Sequence, residues 1–120
     1  MLLDNFSELY NFYQLSDKKT KKKINKRYME FLTDKPCIVS GSEPIHRHHV
    51  RLGSLNCGMG MKPADIFCVP LHFEYHTGDK GIHSIGNKTW QKRFDIDLLG
   101  ELKILHNEFY KEIIGDNKCQ

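Results

Sequence analysis

The chain has 120 residues, of which 39% are hydrophobic and 28% are charged, and its formal net charge is +3. These values suit one globular domain with a modest core. No apolar run approaches the roughly 20 residues that a membrane-spanning helix needs, so we expect no membrane partner. The first ten residues include Asp4 and Glu8 and lack a basic segment followed by a long apolar one. We therefore expect no secretory signal and a cytoplasmic location.

Two helices are predicted in the N-terminal third. Leu, Phe and Tyr recur through residues 2 to 15 and predict a short helix that packs on the core. Asp17 suits the N-cap of a second helix over residues 17 to 33, because its carboxylate can accept a bond from a free N–H group of the first turn. An apolar stripe at helical spacing indicates that this helix has one buried face. The members of the stripe are Ile24, Tyr28, Phe31 and Leu32.

The other faces of this second helix are strongly basic. Seven of the ten residues from 18 to 27 are Lys or Arg. Such a local field attracts phosphate backbones, although a solvated helix face gives the same pattern. The candidate nucleic-acid contacts in this run are Lys18, Lys19, Lys21, Lys22, Lys23, Lys26 and Arg27.

The middle of the chain alternates β-prone runs with turn residues. Cys37 to Val39 and Ile45 to Leu52 flank the turn-prone residues 40 to 44, so we expect the second run to return along the first. Ile66 to Val69 is β-prone again. Pro70 suits the first turn of a helix, since its missing N–H is not needed there.

Two further helices are predicted in the C-terminal part, over Lys88 to Phe94 and Asp97 to Ile114. In the last helix an apolar stripe at helical spacing predicts a face packed on the core. The stripe consists of Leu98, Leu99, Leu102, Leu105, Phe109, Ile113 and Ile114.

Histidines are concentrated in one part of the chain. Six of the seven lie between residues 46 and 83. Imidazole both binds transition metals and moves protons near neutral pH. Successive side chains on a strand point to opposite sides, so His48 and His49 cannot easily share one ion. They can divide the work, one binding the ion and the other acting as general base, and His46 shares a strand face with His48 and could replace it as the ligand.

A second histidine pair has helical spacing. His72 and His76 stand four residues apart, so on a helix both would meet on one face and could clamp a metal ion. An isolated pair at this spacing is often accidental. Here it follows His48 and His49 by about 25 residues, and that order favours a shared site.

Four short motifs follow one another in order: His48-His49-Val50, Gly58-Met59-Gly60-Met61-Lys62-Pro63-Ala64-Asp65, Val69-Pro70-Leu71-His72, and Tyr75-His76. The series resembles the HNH endonucleases, His-Me finger enzymes with a ββα-metal core. It is most similar to the phage recombination-enhancement type. The resemblance covers residues 37 to 94 and implies a metal-dependent DNA endonuclease of a bacterial or phage-infected host cell.

The resemblance also implies roles for individual histidines. His48 stands where the family keeps its first metal ligand, and His49 stands where it keeps the general base. His76 matches the histidine that opens the family's recognition helix and binds the same ion. The last ligand is open: His83 follows an insertion, and His72 would serve in the alternative register.

Other positions carry weaker expectations. Asp65 resembles the central polar residue of the HNH motif and would hold the loop and orient His49, although a loop-capping aspartate gives the same pattern. Arg47, Arg51 and Lys62 flank the expected centre and suit phosphate contacts.

The chain departs from the family at the zinc knuckle that many relatives carry. Cys37 is followed three residues later by Ser40, and His72 and Tyr75 replace the second cysteine pair. Either the structural zinc is lost, or Cys57, Cys68 or His72 substitutes at a shifted site.

Together these observations predict an α+β fold in one HNH nuclease domain over residues 1–120. A basic helical extension (1–35) and a C-terminal helix (95–120) would flank a small ββα-metal core (37–94). The expected ion for hydrolysis of DNA is Mg²⁺ or Mn²⁺, and Zn²⁺ would also bind because of its higher affinity for imidazole. The alternative is a non-catalytic nucleic-acid-binding module stabilised by zinc.

Overall fold

A computed structural model of the protein describes residues 5–52 and 62–118. This part of the chain mixes α and β structure, with six helices and one two-stranded antiparallel sheet. The mixed α and β class expected from the sequence is therefore confirmed. The elements are α1 (Asn5–Leu15), α2 (Lys18–Leu32), β1 (His46–His49), a 3-10 turn (Asp65–Phe67), β2 (Cys68–Leu71), α3 (Phe73–His76), α4 (Ile82–Ile85), α5 (Asn87–Phe94) and α6 (Leu98–Lys118).

Helix α2 forms as its sequence predicts. The Asp17 carboxylate accepts a 2.7 Å hydrogen bond from the Thr20 N–H and so caps the first turn. Ile24, Tyr28 and Leu32 are buried on one face. The lysines occupy the remaining faces, and the apolar stripe packs this helix against the core.

The sheet differs from the expected pairing. Strand β1 pairs with β2, and His46 lies opposite Leu71 while His49 lies opposite Cys68. The expectation that residues 37–39 would partner the returning strand is wrong. The Ile38 N–H instead donates one bond to the Pro70 carbonyl, at 3.1 Å. Every residue of β2 is buried, whereas Ile38 and Val39 are only partly buried. Pairing β1 with β2 therefore buries more apolar surface than pairing it with residues 37–39 would.

The expected helix start at Pro70 is also wrong. Pro70 lies inside β2, and α3 begins only at Phe73, after the N-cap residue His72. Proline is tolerated in a strand where its missing N–H is not needed by the ladder. Burial of β2 therefore overrides the local preference of proline for a first helical turn.

The core lies between β2 and the flanking helices. Its largest fully buried side chains include Trp90, Tyr28, Phe67 and Leu102. Helix α6 packs against both α1 and β2. Within residues 5–52 and 62–118, no helix is both long enough and apolar enough to cross a bilayer.

One histidine belongs to this core and makes stability depend on pH. His106 is fully buried and donates from Nε2 to the Ile66 carbonyl. Burial lowers the pKa of His106 to about 4, and the bond to Ile66 only partly offsets it. Between about pH 6.5 and 4 the unfolded chain therefore binds more protons than the folded one, so stability falls as the pH falls.

We expect His106 to lower the free energy of unfolding by ~2 kcal/mol between pH 7.5 and pH 5. His106→Gln keeps a donor for the Ile66 carbonyl but removes the titrating ring, so its decrease should be smaller by that amount. Urea unfolding of both metal-free proteins at the two pH values measures the difference. Identical decreases in the two proteins would contradict the assignment.

Candidate metal centre and catalytic site

Three imidazoles from separate elements converge at one place. His48 comes from β1, His76 ends α3 and His83 lies in α4. One ring nitrogen of each lies within 4.8 Å of the others. The Nε2 atoms of His76 and His83 are 3.0 Å apart, and the centre of the His48 ring is 5.1 Å from the centres of both. Three nitrogens this close can contract onto one cation and leave a position for water or substrate.

The protonation state of this three-histidine cluster suits a cation. Burial, followed by the neighbouring His76 and His83, lowers the pKa of His48 to about 3. Burial, followed by His83 and His46, lowers the pKa of His76 to about 4. A metal ion needs neutral imidazoles with a free lone pair. His48 and His76 therefore remain in the ligand form well below neutral pH.

A tight turn brings His83 back to His76. The N–H groups of Thr77 and Gly78 both donate to the Phe73 carbonyl at 2.9 Å and end α3. At Gly81 a Cβ atom would lie only 2.5 Å from the carbonyl oxygen of His76. Only glycine permits this close approach. The turn thus folds α4 against α3 and places the two rings side by side.

A fourth imidazole supports the cluster from outside. His46 shares the strand face of His48, and its Nδ1 lies 3.1 Å from Nδ1 of His76. If His76 donates its Nδ1–H in this contact, its Nε2 keeps the lone pair and faces His83. Such an outer hydrogen bond fixes the tautomer and orientation of a ligand ring. The sequence placed His46 on the correct face but left its role open.

His72 lies apart from the cluster. As the N-cap residue of α3, it accepts a 3.3 Å bond at Nδ1 from the Glu74 N–H and stacks on Phe73. Because His72 precedes the helix, it does not share a helical face with His76. Of the two ligand sets left open by the sequence, the structure brings together the one with His83.

Unlike His48, His49 contacts a carboxylate and not the three-histidine cluster. Its Nε2 is 2.8 Å from Oδ1 of Asp65, and the side chains of the two residues are 21% and 43% exposed. A carboxylate at this distance accepts the Nε2–H and leaves the lone pair on Nδ1. The strand alternation therefore separates His48 and His49 as predicted, and one ring is oriented by a carboxylate.

The turn that carries Asp65 is anchored from α2. The Ile66 N–H donates to Oδ1 of Asn25 at 3.1 Å. One residue beyond the turn, the Cys68 carbonyl accepts a 2.8 Å bond from the Tyr28 hydroxyl. These bonds join residues about forty positions apart and fix Asp65 beside the end of β1. A side chain that orients a base needs such rigid support.

The oriented histidine and the metal cluster border the same space. An open cavity of about 240 Å³ is lined by His48, His49, Arg51, Ile82, His83 and Asn87. A phosphate group in this cavity would be within reach of both the three-histidine cluster and His49. Asn87 was not predicted. It lies at the first residue of α5, and only its position directly after Gly86 could have drawn attention to it.

The predicted nucleic-acid contacts differ in their positions. Arg51 lines the cavity, whereas the Arg47 guanidinium donates to the Thr33 hydroxyl at 3.1 Å. The Lys21 ammonium lies 5.5 Å from the centre of the Tyr13 ring. The exposed cations among them are Lys18, Lys19, Lys22, Lys23, Lys26, Arg27, Arg47, Arg51 and Lys62.

Part of the predicted motif series, Gly58 to Met61, falls outside the described residues, and so does Cys57, one of the possible substitute zinc ligands. At the expected zinc-knuckle position Cys37 is buried. Within the described ranges, no group of three neighbouring metal-binding side chains includes Cys37. The structure thus offers no knuckle from Cys37 in those ranges.

Comparison with known proteins gives a match to a family model. A family model described as "Protein of unknown function (DUF968)" matches residues 11–109. No curated protein and no solved structure matches the chain.

Proposed function

We propose that this chain, which belongs to the family of unknown function matched above, is a metal-dependent endonuclease that hydrolyses phosphodiester bonds of DNA. The proposal rests chiefly on one observation. Three imidazoles lie close enough to hold one cation, and two of them, His48 and His83, line the same cavity as His49, whose ring is oriented by a carboxylate. A structural ion alone would need no oriented histidine beside it.

The donor set fits a divalent ion. His48, His76 and His83 would hold it, because their nitrogens are close enough to share one ion, and the lowered pKa values of His48 and His76 keep those two rings in the neutral form that ligation requires. When bound, Mg²⁺ or Mn²⁺ would supply positive charge that stabilises the phosphoryl group and the leaving oxygen. Zn²⁺ would also bind three imidazoles.

His49 is the proposed general base. Asp65 holds the Nε2–H of His49, so the basic lone pair is on Nδ1. This nitrogen would take the proton from an attacking water while Asp65 stabilises the imidazolium that forms. Arg51 and Asn87, which line the same cavity, would contact the phosphate oxygens.

The elements that carry these residues suit the ββα-metal arrangement of the HNH enzymes that the sequence resembles. Strand β1 supplies His48 and His49, β2 pairs with it, and the short helices α3 and α4 supply the remaining ligands. We assign the proposed nuclease to this arrangement, with α1, α2, α5 and α6 as additions around it.

The function is tested by incubating purified protein with supercoiled plasmid. We expect conversion to nicked or linear plasmid in Mg²⁺ or Mn²⁺ and none in EDTA. Activity that persists in EDTA, or a protein that never cleaves DNA in either metal, would contradict the proposal.

DNA is the proposed partner, and α2 is the proposed electrostatic contact. Cations in the first turn of a helix oppose its dipole, yet Lys18 and Lys19 stand there and the first turn of α2 has no acidic residue. These two lysines therefore do not stabilise the dipole of α2. They would strengthen the binding of a phosphate backbone, because neutralising phosphates releases bound counterions.

We expect Lys22→Ala with Lys26→Ala to weaken duplex binding and to lower the slope of log affinity against log salt by roughly two units. Both lysines are exposed, so the fold should persist. Fluorescence anisotropy at several salt concentrations measures the slope. The matched control replaces Lys103 and Lys111, two exposed lysines of α6. An equal loss in the control would show that only net charge matters and would remove α2 as the contact.

A further inference from the structure

A second group of metal-binding atoms lies on the other side of His49. One ring nitrogen of His49, a carboxylate oxygen of Asp65 and the sulfur of Cys68 all lie within 4.8 Å of one another, and Nε2 is the nitrogen that contacts Asp65, at 2.8 Å from its Oδ1. His49 and Cys68 are direct partners across the β1–β2 ladder, so their side chains share one face of the sheet. The 3-10 turn brings Asp65 to the same face.

The three donors differ in kind from the three-histidine cluster. One nitrogen, one oxygen and one sulfur form a donor set that zinc accepts, and a thiolate selects against Mg²⁺ and Mn²⁺. In a tetrahedral zinc site neighbouring nitrogen and sulfur ligands are roughly 3.5 Å apart. A contraction of at most about 1.3 Å from the present limit of 4.8 Å would therefore be enough. His49 and Asp65 are partly exposed and give an ion access, although Cys68 itself is buried.

We propose that His49, Asp65 and Cys68 form an inhibitory site for Zn²⁺ or another thiophilic divalent ion. The inference rests on the proposed function, because inhibition requires His49 to be the base. An ion at Nε2 displaces the Nε2 proton, and the neutral ring then carries its proton on Nδ1. That nitrogen can no longer accept a proton from water. The ion thus blocks the base without moving it.

The proton balance is simple. The His49 ring only changes tautomer, with exchange through solvent, and Cys68 releases one proton as its thiol becomes a thiolate. No electron is transferred. Burial, followed by Asp65, raises the pKa of the Cys68 thiol to about 12, so displacement of this proton costs affinity. The inhibitory site therefore fills after the three-histidine cluster.

Cobalt titration tests the site without reference to activity. The starting protein carries Cys57→Ser and Cys119→Ser, so that only the buried Cys37 and Cys68 retain thiols. We expect the second equivalent of Co²⁺, but not the first, to produce a near-ultraviolet thiolate-to-cobalt charge-transfer band. Cys68→Ala and His49→Gln should each abolish the band. Cys37→Ala, the matched buried cysteine, should keep it.

The site is overturned if no band forms or if the band survives in Cys68→Ala. Circular dichroism of each variant checks that the fold is retained, and Cys68→Ser, nearly isosteric with cysteine, serves if Cys68→Ala does not fold. A band lost only in Cys37→Ala would place the thiolate elsewhere and also overturn the proposal.

The inhibitory role is measured in a second arm. Zn²⁺ is added to plasmid nicking supported by excess Mn²⁺, and each variant is compared with its own zinc-free rate. Half-inhibition of Cys68→Ala should require roughly tenfold more Zn²⁺ than that of the parent. Equal sensitivity would remove the inhibitory role while the nuclease proposal stands. If the parent never nicks DNA, the nuclease proposal and the inhibitory role both fail, and the cobalt band alone decides whether the ion site exists.

Discussion

Replacing His49 with alanine is expected to lower the rate of Mn²⁺-supported plasmid nicking by about 10²- to 10⁴-fold, the usual contribution of a general base. The ring that Asp65 orients borders the same cavity as His48 and His83. Single-turnover rates with saturating Mn²⁺ measure the loss. An unchanged rate would remove His49 from the proton transfer.

Substitutions of Asp65 separate base orientation from general damage to the fold. Asp65→Asn keeps an oxygen that can accept the Nε2–H of His49 but removes the negative charge that stabilises the imidazolium, so its rate should fall although the fold is retained. Asp65→Ala removes the acceptor that holds the tautomer and should lose rate by tenfold or more. All three variants should bind Mn²⁺ as the parent does, since His48, His76 and His83 remain. Loss of Mn²⁺ binding with His49→Ala would instead identify that ring as a ligand.

Replacing His83 with alanine is expected to weaken Mn²⁺ binding by more than about 100-fold, because loss of a direct ligand costs more than loss of an outer partner. The ring nitrogen of His83 lies 3.0 Å from that of His76. Calorimetric titration with Mn²⁺ measures the affinity, and this ion avoids the thiolate of the second site. Cleavage should be lost in parallel.

Two other histidines provide the matched controls. His72→Ala should bind Mn²⁺ as the parent does, since His72 caps α3 and contacts Glu74 rather than the cluster. The Mn²⁺ affinity of His46→Ala should lie between those of His72→Ala and His83→Ala, with a 10- to 100-fold loss, because His46 contacts only the outer nitrogen of His76. If His72→Ala lost more Mn²⁺ affinity than His83→Ala, the third ligand would be His72 and not His83.

Local signals were sufficient for helices α1, α2, α5 and α6. Asp17 and the stripe of Ile24, Tyr28 and Leu32 specify the start and the buried face of α2 without reference to the rest of the chain. The same holds for α5, predicted over residues 88–94 and observed at Asn87–Phe94. A capped, amphipathic helix is specified by residues within a few turns of one another.

The sheet required information that local sequence does not contain. Residues 37–39 and the Cys68–Leu71 strand are both short and apolar, and short apolar runs do not reveal their partners. The choice depends on burial against α2 and α6, which place β2 in the core. The same burial overrides the helix-start preference of Pro70.

The candidate site was predictable in its residue types and only partly in its geometry. Alternation along β1 separated His48 from His49, and motif order indicated His76. The choice between His72 and His83 depended on a turn in which Gly81 meets the His76 carbonyl. The proximity of Cys68 to His49 depended on strand register, which the sequence did not provide.

The central claim is that His48, His76 and His83 hold one ion and that Nδ1 of His49 faces the same cavity. A crystal structure of the protein soaked in Mn²⁺, with an anomalous difference map that locates the ion, tests it most directly. We predict one strong peak at bonding distance from all three rings, with an open coordination position towards His49. A peak that excludes His83, or an ion closed by four protein ligands, would contradict the account.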